Sequence, residues 1–430
     1  MRVLFIHHGA DIGGAGQCLL ELLTSLEPFD VQSLVVVPYD GAMRAASNAR
    51  GLRTVVVPSK WWVTERSRSV PDLRRYLKHL PSRLQDYRRL IEAEKIDLVF
   101  TNTSVVAEGA MAACMTGRPH VWNVLEMLKV DPDLMPVVPL AMLQRAIGDL
   151  STRVIAVSES VRRDLAVEVP AGKLSVVHTG ITPPVSSRGS QKTRELLGLA
   201  QGTPVVLFAG LLSRRKGVLE LVDAAALVLK AIPQAVFLLA GADGGCERQV
   251  RARIRELRIG SGVRLLGYRR DCADLLACCD MVVMPSKADP LPVSVLEAIH
   301  AGKPVVATRS GGCEEMIEDG ISGYLVPVDD VAQMADRIIN VLGDTSGAQA
   351  MGQRGRERAE SLFSLASHGQ AMFHVFQESV SAGPVSRQVV PDWIESASRI
   401  RGDSTLAIAM GNALLWARRG TNRLHRLAGR

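Results

Sequence analysis

Asp289 and Glu297 stand either side of a proline-marked helix start in the stretch Pro285-Ser-Lys-Ala-Asp-Pro-Leu-Pro-Val-Ser-Val-Leu-Glu-Ala-Ile-His300. A buried strand, Pro304 to Ala307, and the turn Gly311-Gly312 follow directly. An acid in a loop, an acid within the next helix and that helix's unsatisfied N–H groups would face one point. Such a point suits a ligand that carries both hydroxyls and phosphate. Glu297 is placed to accept two vicinal ribose hydroxyls, and Asp289 to reach a sugar ring lodged at the helix N-terminus. Leu291, Val293 and Ser294 are further donor-binding candidates; Pro292 lacks an N–H, which leaves Val293 and Ser294 as the amide donors.

A second cluster precedes it. Gly210-Leu-Leu-Ser-Arg-Arg-Lys-Gly217 puts Arg214, Arg215 and Lys216 between a strand end and a helix start. Three consecutive cations there make a diphosphate clamp, which a departing nucleotide needs for its developing charge. The phosphate-loop pattern G-x-x-x-x-G-K-[ST] is absent, which disfavours ATP hydrolysis. Gly13-Gly14-Ala15-Gly16 follows the first strand and opens a helix, so a phosphate or sugar can approach the backbone at Gly13 and Gly14. It is not a clean G-x-G-x-x-G and no acid ends the second strand, so a dinucleotide is a poor fit.

The elements that must position these residues are short apolar strands alternating with amphipathic helices. Candidate strands are 2–7, 31–37, 53–57, 97–101, 119–124, 153–157 and 174–178, then 204–209, 235–240, 263–266, 280–284, 304–307 and 324–327. Runs such as Leu34-Val-Val-Val37 are apolar at every position, as strands covered on both faces require. Helical patterns fall between the strands, with one long pattern over 72–94, and residues 381–403 read as a polar segment. Ligands in open sheets of this kind sit at the carboxyl ends of the strands.

The chain is long enough for two domains and an extension. Hydrophobic residues make up 47% and charged ones 22%, globular values, while aromatics at 4% argue against a base-stacking nucleic-acid surface. The seven cysteines lack metal spacing and read as reduced, buried thiols. No apolar run reaches the roughly 18 residues of a membrane span, and the first strand is no secretory signal. Residues 60–89 carry nine Lys/Arg against three acids, with Trp61, Trp62, Tyr76 and Tyr87 interleaved. Residues 404–417 form a weakly amphipathic stretch ahead of five arginines. These two features suit an anionic membrane surface. His120 and His178, at strand ends, read as structural.

The second half resembles the C-terminal domain of the GT4-type (group 1) retaining glycosyltransferases of GT-B fold. Asp289 through Val306 is similar to their E-P-x-G-x-x-x-x-E-A-x-A-x-G-x-P-V-V, Gly210 through Gly217 to G-R-L-x-x-x-K-G, Gly311 through Glu315 to G-G-x-x-E, and Val176 through Ile181 to V-I-P-N-G-I. Gly13-Gly14-Ala15 is similar to their N-terminal glycine loop. The resemblance spans about residues 1–380 and is most specific over 280–327. It implies an α/β protein of two Rossmann-like doubly wound domains facing across a cleft, plus a C-terminal helical extension. The resulting division is 1–182 as acceptor-binding domain, 183–203 as linker, 204–362 as nucleotide-sugar-binding domain, 363–380 as a helix returning to the first domain, and 381–430 as a basic extension.

The resemblance also implies roles. Lys216, helped by Arg214 or Arg215, binds the diphosphate; Glu297 holds the ribose; Asp289 contacts the transferred sugar; Gly14 allows close approach. The chemistry keeps anomeric configuration and needs no metal or other cofactor. The departures are specific. Asp289 stands for glutamate, Leu211 for the arginine of G-R-L, Pro292 for glycine, Thr179 for asparagine. Asn123, in His120-Val-Trp-Asn-Val-Leu-Glu126, stands where many relatives carry a histidine, and leaves Glu126 as the nearby ionisable group. The expected activity is transfer of a sugar from a nucleotide-diphosphate sugar to a lipid-linked or polysaccharide acceptor in envelope or exopolysaccharide assembly. Domain closure would exclude water. Asp289, Asn123 and Glu126 are the expected catalytic residues. The expected location is the cytoplasm, peripheral at the inner membrane face, with no nucleic-acid partner. A sugar-nucleotide epimerase and a catalytically silent nucleotide-sugar-binding protein are the alternatives.

Overall fold

The computed structural model describes residues 1–65, 72–131 and 134–399. The described residues divide into two compact units, Met1–His178 with residues 368–399, and Thr179–Ser367.

The first unit is built on a seven-stranded parallel sheet. Its strands are β1 (Arg2–His7), β2 (Gln32–Val37), β3 (Arg53–Val56), β5 (Leu98–Asn102), β6 (His120–Val124), β8 (Arg153–Ala156) and β9 (Leu174–Val176). They lie in the order β3-β2-β1-β5-β6-β8-β9, while β4 (Val63–Glu65) and β7 (Leu134–Pro136) form a separate antiparallel pair. From β1 the chain winds outward to β3, then returns to β1's other side at β5. The crevice outside the carboxyl ends of β1 and β5 is therefore the topological switch point. β5 and β6 are buried at every position, including the polar Thr101 and Asn102 of the one and His120 and Asn123 of the other. The core beneath joins Phe5, Phe100 and Phe376; the Phe5 and Phe100 rings sit 5.4 Å apart and tilted. Phe376 comes from the helix Leu365–Ala382.

The second unit repeats the plan with six parallel strands, β10 (Val205–Ala209), β11 (Val236–Ala240), β12 (Val263–Gly267), β13 (Met281–Met284), β14 (Val305–Thr308) and β15 (Tyr324–Val326), ordered β12-β11-β10-β13-β14-β15. Its switch point lies between β10 and β13. Val206, Phe208, Phe237, Met281 and Val283 pack against Val218 and Val222 of the helix Val218–Ala231 as its core.

Four sequence expectations need correction. The helix expected over 72–94 is two helices, Leu73–Leu77 and Leu80–Ala93; Asp72 caps the first and Pro81 opens the second. The expected linker 183–203 contains the helix Ser190–Leu196 and belongs to the second unit. Asp274 anchors its start, accepting from Ser186 Oγ at 2.7 Å, Ser187 N at 2.8 Å and Arg188 N at 3.0 Å. The polar segment after 381 holds the helix Val389–Arg399, whose Val390, Trp393 and Ile394 are buried and which packs on the helix Glu108–Thr116. Finally, Trp62, Tyr76 and Tyr87 are fully buried core residues, so they anchor nothing at a membrane. Residues 66–71 of the basic stretch, and the stretch 404–430, lie outside the described residues. Among the described residues no helix is long and apolar enough to cross a membrane.

Candidate functional site

In the second unit, the loop after β10 and the loop after β13 meet at the switch point. Gly217 adopts φ +65°, and a Cβ there would stand 1.9 Å from the Pro285 carbonyl oxygen. Only a residue without a side chain fits both conditions. The contact is reinforced by Lys287 N donating to Arg215 O at 2.8 Å and by Arg215 Nη1 donating to Ala288 O at 3.0 Å. These bonds bring Lys216 against Asp289, with Nζ 2.5 Å from Oδ2 and both side chains largely buried. Ser286 Oγ donates to the same Oδ2 at 3.1 Å. The pair is charge-assisted, short and partly desolvated, which makes it electrostatically strong.

The third side of this point is the loop after β14. Gly312 N donates to Asp289 O at 3.0 Å, and a Cβ on Gly312 would lie 2.4 Å from Pro290 O. Leu291 is buried against that glycine. Cys313 follows, fully buried, its thiol pushed up by burial and then by the neighbouring Asp289 charge. The helix Val293–His300 starts at Pro292 with no side-chain cap. Val293 and Ser294 lie in its first turn and Glu297 one turn further, all three half-buried. Glu297 lies close enough to Cys272 to help burial raise that thiol to about 11.

Of the expected donor residues, the structure therefore joins Lys216 and Asp289 in direct contact, fixes Arg215 to the same loop, and sets Leu291, Val293 and Ser294 beside them. Arg214 points elsewhere: it is exposed and donates to Gln249 Oε1 at 3.3 Å. Leu211, the residue in place of the family's arginine, is 44% exposed and offers no charge.

The first unit is different in kind. Gly13 and Gly14 open the helix Gly14–Ser25, exposed, and nothing within 4 Å would oppose a Cβ on either. The cramped glycine of that loop is Gly16, whose Cβ would lie 3.3 Å from Asp11 O and 3.5 Å from His7 Nε2. His7, Asn102 and Asn123 occupy facing register positions at the ends of β1, β5 and β6. Asn123 Nδ2 donates to Asn102 Oδ1 at 3.0 Å, and Asn102 Nδ2 donates to Ala15 O at 2.9 Å. His7 lies 3.4 Å from that Nδ2 and is held neutral by burial, with its pKa well below the usual histidine value. Asn123 is thus the end of a buried neutral polar row rather than an isolated side chain. Sequence reasoning missed His7 and Asn102. Only strand register shows them beside Asn123, and no local pattern signals register.

Glu126 is committed to a loop. Its Oε2 accepts from Ser104 N at 2.8 Å, Ser104 Oγ at 2.7 Å and Leu125 N at 3.2 Å. Desolvation nevertheless lifts its carboxyl above the ordinary range. The loop it holds contains Thr103 at φ +89°, a β-branched residue in the left-handed region. Thr103 N donates to Asn123 O at 2.9 Å and Trp122 Nε1 donates to Thr103 O at 2.7 Å, so the strained turn is held from both sides.

Two parallel-sheet Rossmann-like units of this topology define the GT-B class of glycosyltransferase folds. The structure matches that of HepE from Anabaena, solved in complex with UDP and glucose, with a TM-score of 0.74 and 24% identity, covering 87% of this chain and 99% of HepE. The description "Glycosyltransferase Family 4" matches residues 12–183, and "Glycosyl transferases group 1" matches residues 190–358. The chain belongs to this family. It is 32% identical over 209 residues to a D-inositol 3-phosphate glycosyltransferase of Corynebacterium kroppenstedtii, covering 47% of this chain and 46% of that protein. It is 26% identical over 280 residues to the UDP-Gal:alpha-D-GlcNAc-diphosphoundecaprenol alpha-1,3-galactosyltransferase of Escherichia coli, covering 62% and 72% respectively. The chain spans about half the length of the first curated relatives it matches.

Proposed function

We propose that this chain transfers a sugar from a nucleotide-diphosphate sugar to a glycan or lipid-linked acceptor in polysaccharide or glycolipid biosynthesis. The observation that carries this reading is the meeting of Lys216 and Asp289 at the second unit's switch point, beside an uncapped helix start. The diphosphate takes the Lys216 ammonium and the amides of Val293 and Ser294, where a helix N-terminus adds positive potential. Arg215 supplies further positive charge, Glu297 accepts the ribose hydroxyls, and Asp289 reaches the sugar. With Lys216 neutralising the leaving diphosphate, the acceptor hydroxyl attacks the anomeric carbon from the face the phosphate leaves, and the phosphate takes its proton. Configuration is retained, and the cationic side chains do this without a metal ion. The acceptor binds the first unit at the ends of β1, β5 and β6.

Support for the reading comes from the family to which the chain belongs and from HepE, whose structure holds UDP and glucose. The test is thermal unfolding against a panel of UDP-, GDP- and dTDP-sugars, since a ligand that binds only the folded state raises the melting point. One nucleotide sugar should raise it, and Lys216→Ala should abolish the rise. A panel without effect sinks the proposal. Turnover of that donor in EDTA, with the product's anomeric configuration read by NMR, tests the metal-free retaining chemistry. Donor bound without transfer or hydrolysis would instead mark a silent binding protein.

Association with an anionic membrane remains part of the proposal in reduced form. It now rests on the exposed Arg74, Arg75 and Lys78 of the first unit, without the buried aromatics. Flotation with anionic liposomes tests it, and protein left at the bottom of the gradient dismisses it.

A further inference from the structure

His7 ends β1 at the first unit's switch point and is only 1% exposed. Burial, helped by the neighbouring His8, keeps its ring neutral. A neutral imidazole carries one proton, on Nδ1 or on Nε2, and its neighbours decide which. Asn102 decides here. Its amide has one orientation, because Nδ2 donates to the Ala15 carbonyl at 2.9 Å and Oδ1 accepts from Asn123 Nδ2 at 3.0 Å. The atom that Asn102 turns toward His7 Nδ1, at 3.4 Å, is therefore a donor. Nδ1 must accept, and the proton sits on Nε2.

That N–H donates to no protein atom among the described residues. Unlike the orphaned Thr103 Oγ1, Nε2 is not sealed from solvent. Opposite it stands Gly16, in the first turn of the helix Gly14–Ser25. A Cβ on Gly16 would lie 3.5 Å from Nε2, 3.3 Å from Asp11 O and 3.6 Å from Met43 Sδ. The backbone at Gly16 is ordinary helix, which alanine favours. Asp11 lies in an exposed loop, so its 3.3 Å contact needs only a slight adjustment. What glycine provides is an uncovered imidazole N–H.

The groups around that point define what fits it. Nε2–H is a donor and the Asp11 carbonyl an acceptor, and neither is charged. A hydroxyl both donates and accepts, so it complements the pair; a phosphate oxygen, which only accepts, would face the negative end of the carbonyl. Gly9, Gly13 and Gly14 belong to the same loop, and nothing lies within 4 Å of a Cβ on any of them. The loop thus leaves room for the ring that bears the hydroxyl.

We propose that His7 donates its Nε2–H to a hydroxyl of the acceptor sugar, in the niche that Gly16 leaves, and that Asn102 positions it by holding the proton on that nitrogen. The assignment rests on the reading above that the acceptor binds the first unit. His7 in this role orients the acceptor and takes no proton from it, because the nitrogen that meets the hydroxyl is already protonated. Paired register of β1 and β5 sets His7 opposite Asn102, so the donor is oriented before the ligand arrives.

Two measurements on the full chain test this. Histidine-selective nitrogen NMR, with His7 assigned by its loss in His7→Gln, should show a neutral ring protonated at Nε2; a proton on Nδ1 overturns the proposal. Saturation-transfer NMR with methyl α- and β-glycosides of glucose, galactose, mannose and N-acetylglucosamine should show at least one of them bound, and binding of none overturns it. Gly16→Ala should keep a cooperative melt yet weaken that glycoside by about fivefold or more, the worth of one hydrogen bond. His7→Gln, which keeps an N–H within reach, should retain more affinity than His7→Leu. Unchanged affinity in Gly16→Ala or in His7→Leu means that water alone meets Nε2, and overturns the assignment. A His7 signal that UDP shifts and no glycoside does puts the donor there instead, with the same consequence. Nucleotide-sugar stabilisation is read separately, so a chain that binds its donor yet fails these tests loses the His7 contact alone.

Discussion

The two switch points share a topology and differ in chemistry. In the second unit the strand ends bring opposite charges into contact, Lys216 on Asp289, with two glycines letting the loops touch. In the first unit the strand ends carry a neutral row, His7, Asn102 and Asn123, and the nearby carboxylate of Glu126 is bound into a turn. On the proposed reading, the second switch point takes the anionic donor and the first a hydroxylated, uncharged acceptor.

Four experiments break or sharpen that contrast. The largest effect is expected from Glu108→Ala in the first unit, which leaves the Arg83 guanidinium, whose Nε lies 2.7 Å from Glu108 Oε1, buried and unpaired. Denaturant unfolding should show a loss of about 3–5 kcal/mol, and a loss below the scatter of the measurement would mean the pair is hydrated. Next is Lys216→Ala, which should weaken the nucleotide-sugar dissociation constant by about 10- to 100-fold by calorimetry, the worth of a charged hydrogen bond.

Third, acid should unfold the first unit before the second. Burial lowers His120 to about 3 and His368 to about 4, and also lowers His7, all in the first unit; His300 is lowered in the second. Each folded-state value lies below the unfolded one, so the unfolded chain binds more protons in between. The stability these groups contribute is full above the unfolded value near 6.5 and declines as the pH falls toward 3. The expected slope is about 1.4 kcal/mol per pH unit for each fully buried histidine. Hydrogen exchange at pH 7 and 5 resolves the two units, and uniform deprotection would refute the asymmetry. The smallest effect belongs to Glu126→Gln. One amide oxygen still accepts from Ser104 N, so stability should change by less than about 1 kcal/mol and transfer rate should persist. A collapse in rate with the fold intact would make Glu126 a participant in proton transfer.

Much of the architecture was legible without coordinates. Apolar runs such as Leu34 to Val37 alternating with helices led to two parallel sheets, and the block from Asp289 to Val306 led to the family. What escaped the sequence has physical causes. The linker helix Ser190–Leu196 is stabilised by Asp274, 80-odd positions away. The helix Val389–Arg399 looked polar because its buried face is only Val390, Trp393 and Ile394. The aromatic-rich basic stretch read as a surface because composition does not say which aromatics turn inward; Trp62, Tyr76 and Tyr87 are fully buried and Trp61 is half-buried.

By itself, then, the order of residues determined the fold class, the family and the placement of cations and acids at strand ends, because these depend on local periodicity and on motifs short enough to read in one pass. Tertiary structure decided that Arg214 turns away while Lys216 meets Asp289, that Glu126 is spent on Ser104, and that His7 and Asn102 stand beside Asn123. Those outcomes depend on strand register and on contacts between loops far apart in the chain, which no local pattern encodes.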